Sequence, residues 1–340
     1  MEKFKDIEKI IKTGVDNNDF PGGHYCYIVE DKIKCNYYGY KMIEPSKQLL
    51  TGDEIYDIAS LSKIVSTTTI IFKLIENNQL SLNTKVKDIL KDYFDPNTEV
   101  IDLLLHRSGL NPIVHNAISI NTKEQLIKQI YDERFVYEPK TKIAYSDTGY
   151  MLLGFIIEKI TNKKLKDVAH ELVFKPLEMT NTSYNPDVYK AVVTEYRDDK
   201  LHKGFVKGFV HDERSYLMEG NSGHAGVFST AKDISKYIYS VLHDERVFKN
   251  ETKNLIFNTT VKSTDLQDNE VVRSLGYQKF SFLPDTHNYL ITHTGFTGCN
   301  MWIDIKNKRG FVLLSNAVHP LRSKNKIFPY RKQILDLFYK

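Results

Sequence analysis

Cysteine is scarce in this chain, and the few that occur are poorly placed for a framework. Only Cys26, Cys35 and Cys299 occur, an odd number with no CxxC pair. Such a set builds neither a multi-disulfide scaffold nor a four-ligand zinc site. A two-residue turn at Asp31-Lys32 would set Ile28, not Cys26, opposite Cys35, so these two are expected to remain unpaired. Long apolar runs are also missing: no stretch approaches the roughly 18 residues of a membrane span. The first residues, Met1-Glu2-Lys3-Phe4-Lys5-Asp6-Ile7, carry charges where a signal peptide needs an apolar segment. The expected address is the cytoplasm, with no membrane partner. Charge of one sign is lacking too. With 47 basic and 43 acidic residues the net charge is +4, which leaves no electrostatic footprint for nucleic acid. Glycine and proline, at 17 and 10 residues, are too few for long disorder.

What is present is an ordinary globular composition, 41% hydrophobic over 340 residues, enough for one large or two interleaved domains. Phe4, Ile7, Ile10 and Ile11 recur at helical spacing. Phe20-Pro21-Gly22-Gly23 reads as a turn, followed by β-rich runs from His24 to Glu30 and from Ile33 to Tyr40. Residues 62–76 read as one helix, and the helical pattern continues with loops to about residue 225. Lys232 to His243 is a further helix. Strands are expected at Ser274 to Phe282, Tyr289 to His293, Asn300 to Asp304 and Gly310 to Ser315, then a closing helix from Pro329. Strands at both ends and helices between them imply an α+β fold. One antiparallel sheet flanked by terminal helices is formed by 1–78 and 226–340, with a mostly helical domain, 79–225, inserted. A cleft between the two would hold the site.

Three motifs carry chemistry. Ser60-Leu61-Ser62-Lys63 puts a hydroxyl and an amine on one face of a helix start, where free N–H groups favour developing negative charge. Alone it is weak, since Ser229-Thr230-Ala231-Lys232 and Ser323-Lys324-Asn325-Lys326 spell the same pattern. Tyr145-Ser146-Asp147 follows in a loop before a helix, and His293-Thr294-Gly295 ends a β-rich run. Lys12-Thr13-Gly14 copies the third pattern but precedes the serine. There is no G-x-S-x-G elbow for a Ser-His-Asp triad and no H-x-x-x-H or H-x-H metal cluster.

In this order and on these elements, the motifs resemble S-x-x-K, Y-x-N and K-T-G or H-T-G of the serine β-lactamases, penicillin-binding D,D-peptidases and related esterases. Leu104-Leu105-His106-Arg107-Ser108-Gly109-Leu110 and Gly223-His224-Ala225-Gly226-Val227-Phe228-Ser229-Thr230 also resemble that superfamily, so the likeness covers nearly the whole chain. The resemblance implies a serine hydrolase needing no cofactor or metal. Ser60 would be the nucleophile that forms an acyl-enzyme, and Lys63 and Tyr145 the proton-handling pair. The N–H groups of Ser60 and Phe296 would form the oxyanion hole. Asp147, His293, Thr294, Gly295 and Phe296 would line the substrate site, with Gly295 letting substrate run beside the strand. Two residues depart from the common pattern. Asp147 stands where many relatives have Asn, and a carboxylate there would pair with Lys63 and favour its charged form, shifting the base role to Tyr145. His293 in place of Lys holds an anionic substrate less firmly. The expected cytoplasmic address weighs against the runner-up, a β-lactamase or D,D-carboxypeptidase, and both departures lower the expectation of β-lactamase activity. They favour an ester or amide substrate, small-molecule or peptide-like, such as a D-amino-acid or muropeptide fragment. A catalytically silent binding or sensing protein is the rival of another class. His211-Asp212 is read as a loop turn, His106 as a shaping residue, and the chain as a monomer. Specificity is assigned to loops around 110–120, 195–222 and 282–288.

Overall fold

The computed structural model describes residues 2–115 and 119–339; 116–118, part of one expected specificity loop, lie outside them. Nine strands among the described residues form one antiparallel sheet. From the amino-terminal end they are β1 (Gly22–Val29), β2 (Lys32–Met42) and β3 (Gln48–Leu49). From the carboxy-terminal third come β4 (Val261–Thr264), β5 (Glu270–Arg273), β6 (Gln278–Lys279), β7 (Leu290–Thr294), β8 (Asn300–Asp304) and β9 (Arg309–Ser315). Their order across the sheet is β3-β2-β1-β9-β8-β7-β6-β5-β4, so the first and last strands of the chain meet at the centre, β1 against β9.

Alternation along these central strands separates two apolar cores. Tyr25 and Tyr27 of β1, Trp302 of β8 and Phe311 and Leu313 of β9 point to one face. There they meet Phe4, Ile7 and Ile11 of α1 (Glu2–Asp16) and Ile334, Leu335 and Phe338 of the closing helix, Phe328–Tyr339. Cys26, Ile28, Met301, Ile303, Val312 and Leu314 point to the other face, into a core that continues through the helical region. Each fully buried aliphatic or aromatic side chain of α1 contributes about 1.5–3 kcal/mol to holding that helix down. The sheet, its flanking terminal helices and the helices inserted between its two halves are therefore those expected from the pattern.

Several local expectations are corrected. Residues 62–76 are not one regular helix: a tight turn at Ala59–Leu61 leads into a π-helical stretch, Lys63–Thr68, and only then into α-helix, Thr69–Glu76. The π-helical residues are all buried, and Thr67, Thr68 and Thr69 send their hydroxyls to Gly223 O, Tyr150 and Tyr237. Apolar periodicity reads the burial but not the wider turn. Gly22 and Gly23 begin β1 instead of forming a turn; a Cβ on Gly23 would lie 2.7 Å from Leu314 O. Between Ser274 and Phe282 only Gln278–Lys279 is strand. The hairpin of β4 and β5 lies upstream on a half-exposed sheet edge, where its mixed polarity gives little period-2 signal.

The cysteines are the main correction. The β1–β2 hairpin turns at Glu30-Asp31, pairing Val29 with Lys32, and this register puts Cys26 opposite Cys35. The two form a disulfide, leaving buried Cys299 as the free thiol. Moving the two-residue turn by one position shifts every cross-strand partner by two; Glu30, its first residue, adopts a positive φ of 53°. Thiol titration of the unfolded, unreduced chain should therefore find one reactive cysteine, rising to three after reduction. Three before reduction would refute the pairing.

Candidate active site

The residues leading into Ser60 are held by backbone contacts. Ala59 has a positive φ of 47°, a strained conformation for a residue with a Cβ. Buried Asp57 braces it, accepting from Ala59 N at 2.9 Å and from His211 N at 2.7 Å. Three residues on, Lys63 is completely buried, and its ammonium donates to Ser60 Oγ at 3.1 Å and to the carbonyl of His224 at 2.9 Å. Its third neighbour is Asp147 Oδ1 at 2.7 Å.

Asp147 arrives there on the first turn of a helix, Asp147–Thr161, whose N-cap Ser146 accepts from Gly149 N at 2.9 Å. A carboxylate at this end also faces the helix dipole favourably. Burial opposes charge on Lys63, but Asp147 and then Tyr145 outweigh it and raise the ammonium above the ordinary lysine range. Burial likewise opposes charge on Asp147, and Lys63 and His224 overturn it, holding the carboxyl below its usual range. Lys63 is thus a charged hydrogen-bond donor at neutral pH, not a free base.

Tyr145 immediately precedes that helix cap. Its ring lies 4.9 Å from the Lys63 ammonium and 4.8 Å from the ring of His106. His106, buried in the LLHRSGL segment, accepts from Ser146 N at 2.9 Å through Nδ1. Desolvation, followed by Arg273, Lys63 and His293, keeps its pKa well below the usual histidine range. His106 therefore acts as a neutral backing for Tyr145.

A cavity of about 380 Å³ opens over these groups, lined by Ser60, Tyr145, Asp147, Thr294 and Phe296 among others. His293 and Gly295 are not in its lining. His293 is 2% exposed, donates from Nδ1 to Thr294 O at 2.9 Å, and sits 5.9 Å from the Tyr145 ring. Burial, then Arg273 and Lys63, hold it well below the usual histidine range, so it is a neutral ring whose Nε2 has no partner among the described residues. Gly295 answers a different need from the one expected: a Cβ there would lie 2.4 Å from Ile58 O. The glycine lets the β7 end approach the backbone beside the nucleophile turn. Thr297 reinforces the approach by donating to Asp57 O at 2.7 Å.

A sequence-family model described as Beta-lactamase matches residues 7–336. The chain belongs to the β-lactamase family. A protein of Escherichia coli K12 named putative D-alanyl-D-alanine carboxypeptidase is 30% identical, with 94% of this chain and 83% of that protein covered. An N-acetylmuramyl-L-alanine amidase of Bacillus subtilis 168 is 28% identical, covering 94% and 82%. Among solved structures, the hydrolase EstCE1, described as having promiscuous acyltransferase activity, superposes with a TM-score of 0.80 at 19% identity. That likeness covers 99% of this chain and 98% of the other. This member of the β-lactamase family is a serine hydrolase.

Sequence reasoning missed three charged neighbours of this hydrolase's cleft. Arg273, on β5, is 8% exposed, and its guanidinium lies 5.2 Å over the Tyr145 ring. It has no carboxylate partner among the described residues, and Nη1 is unbonded by protein. Its strand carried no motif, so nothing in the sequence tied it to Tyr145. Arg214 bonds Asp212 at 2.8 Å and approaches Asp147 at 3.6 Å. Asp212, read as part of a loop turn, caps a short helix (Glu213–Leu217) and also holds His224 Nε2 at 2.7 Å. His224 Nδ1 in turn meets Ser222 Oγ at 2.8 Å. This Ser-His-Asp chain is no second catalytic triad, because Ser222 is 3% exposed and absent from the cavity lining. It fixes the segment whose carbonyl receives Lys63. Asp147, Asp212 and His224 cluster closely enough to hold a metal ion, but Lys63 and Arg214 already neutralise both carboxylates.

Two outcomes test these geometries. The Lys63–Asp147 pair supports the fold fully from above the unfolded Asp pKa, about 4, to below the unfolded Lys pKa, about 10.4. Its contribution fades as pH falls through the depressed Asp147 value or rises through the elevated Lys63 value. Asp147→Asn should remove roughly 3–5 kcal/mol of stability at neutral pH and move the alkaline limb of kcat/KM to lower pH; unchanged denaturant midpoints would contradict the pairing. Arg273→Met should lower kcat by roughly 10- to 100-fold with little change in KM or thermal stability, and Arg273→Lys should recover part of it. A loss of folding without a kinetic effect in the folded fraction would leave Arg273 a packing residue.

Proposed function

We propose that the chain hydrolyses an amide or ester through an acyl-enzyme at Ser60, on a D-amino-acid or muropeptide type of substrate. The observation that carries this reading is the Lys63 ammonium, bonded at once to Ser60 Oγ and Asp147 beneath the ring of Tyr145. Because Lys63 is held protonated, the base role is assigned to Tyr145, whose ring is flanked by Lys63 and Arg273. Tyr145 takes the Ser60 proton as Oγ bonds to the substrate carbonyl carbon. It then returns that proton to the departing amine or alcohol as the carbon–leaving-group bond breaks. Water deacylates the enzyme by the same route in reverse. The N–H groups of Ser60 and Phe296 are assigned to the oxyanion, and Thr294 and exposed Phe296 to substrate contact.

The amidase and carboxypeptidase names of the relatives support a peptide-like substrate. A neutral His293 in place of a strand lysine supports a weaker hold on a substrate carboxylate than a β-lactamase or D,D-carboxypeptidase needs. D,D-carboxypeptidase is the second reading, favoured by the name of the Escherichia coli relative. We further propose a monomer, in the cytoplasm. The Cys26–Cys35 disulfide weighs against that address, since cytosolic thiols are kept reduced; thiol trapping in freshly quenched cells decides it.

Intact mass after exposure to a fluorophosphonate, and separately to a penicillin, tests the nucleophile. Labelling of the wild-type chain and none of Ser60→Ala is expected. A fluorophosphonate adduct alone supports an esterase or amidase, a lasting penicillin adduct a D,D-peptidase, and rapid release of opened drug a β-lactamase. Absence of both adducts would sink the hydrolytic assignment of Ser60 and favour a binding protein of the same fold.

A further inference from the structure

The sheet face opposite the helical region holds a second cavity of about 320 Å³, between β6, β7, β8 and the closing helix Phe328–Tyr339. Its walls are largely apolar, with Trp302 at the side and exposed Phe282 and Phe328 toward solvent. Phe282 and Phe328 are 62% and 74% exposed, an unusual cost for a surface with no occupant. Asn300 also lines it. The β7–β8 register sets Asn300 opposite Thr294, on the same face as Trp302, two residues along.

Asn300 is fully buried, yet neither its amide nitrogen nor its amide oxygen meets a partner among the described residues. A buried amide unsatisfied at both ends loses about 1–3 kcal/mol at each, so the arrangement points to a group that supplies one donor and one acceptor together. Nearby Arg331 gives one N–H to Cys299 O at 3.0 Å, while its Nε has no partner among the described residues. Burial brings its pKa down to about 10, the sign of a cation without a counter-charge. Lys332 stands exposed beside it, and no acidic residue lines the cavity. The cavity thus combines an apolar wall, a two-way amide and uncompensated positive charge.

We infer that this cavity is a ligand site, distinct from the Ser60 cleft, for an N-acylated amino acid with an apolar side chain. The ligand's planar amide would pair with Asn300, its carboxylate would lie toward Arg331 and Lys332, and its apolar side chain would pack against Trp302, Phe282 and Phe328. Thr294 lines both this cavity and the Ser60 cleft, so the two sites share a wall at the end of β7. The inference does not depend on what Ser60 acylates.

N-acetylphenylalanine, as D and L enantiomers, is the probe, and isothermal titration against the full-length Ser60→Ala chain is the measurement. Saturable binding to one site is expected. Phe282→Ala, a change at the exposed rim, should weaken it several-fold. Asn300→Asp, which removes the amide donor and adds negative charge, should weaken it tenfold or more, and 3-phenylpropanoate, lacking the amide, should bind tenfold more weakly to the unaltered site. Fluorophosphonate-labelled wild-type chain should still bind the probe. Loss of binding on labelling would assign the probe to the Ser60 cleft and overturn the inference. So would an affinity indifferent to Phe282→Ala, or no binding at millimolar probe. If Asn300→Asp does not fold, the rim variant and the labelled chain decide the matter.

Discussion

A lysine with no access to water must find acceptors for three N–H groups and a counter-charge for one proton, or else give the proton up. Lys63 meets the first demand with Ser60, His224 and Asp147, and Asp147 alone meets the second. Those three partners come from the nucleophile turn, the segment after residue 220 and the start of the helix at Asp147. The ammonium is therefore the point at which both halves of the cleft are joined. The buried threonines that follow it bind the same segments, Thr67 to Gly223 and Thr68 to Tyr150. Irregular geometry at Ala59 and in the π-helical stretch is tolerated because this network over-determines it.

Charge then sorts the roles of the aromatic and imidazole groups. Around Tyr145 stand two cations, Lys63 and Arg273, and two histidines that burial keeps neutral, His106 and His293. Positive charge that the K-T-G form of the strand motif would carry lies here two strands away, on Arg273 of β5. A lysine-to-histidine exchange, viewed in isolation, looks like a loss of charge; with Arg273 in place it is a displacement of charge away from the substrate side and toward the phenol.

How much of this was legible in the sequence follows from the range over which each signal acts. The sheet and its flanking helices could be read because alternation in β1, β8 and β9 and the 3.6-residue stripe of α1 are local patterns. The pairing of Asp147 with Lys63 could be anticipated because both lie inside motifs whose partners are fixed by the superfamily resemblance. Arg273 and Arg214 could not, since each reaches the cleft by a tertiary approach that leaves no mark on its neighbours, while the His211-Asp212 pair admits a cleft contact as well as the loop turn read there. The disulfide was missed through a one-residue error in a turn, which shifts partners by two and so leaves every side chain on its own face, where period-2 alternation gives no warning.

Gly295 and Ile58 touch through backbone alone. The spacing between the nucleophile turn and the strand edge is consequently set by main-chain atoms, and a side chain added at Gly295 itself is the change that would widen it. Mutation can redecorate the rim, through Ile113, Phe296, Arg214 or Arg322, while the reacting centre keeps one width. A fold built this way is free to change what it accepts without having to rediscover how to attack it.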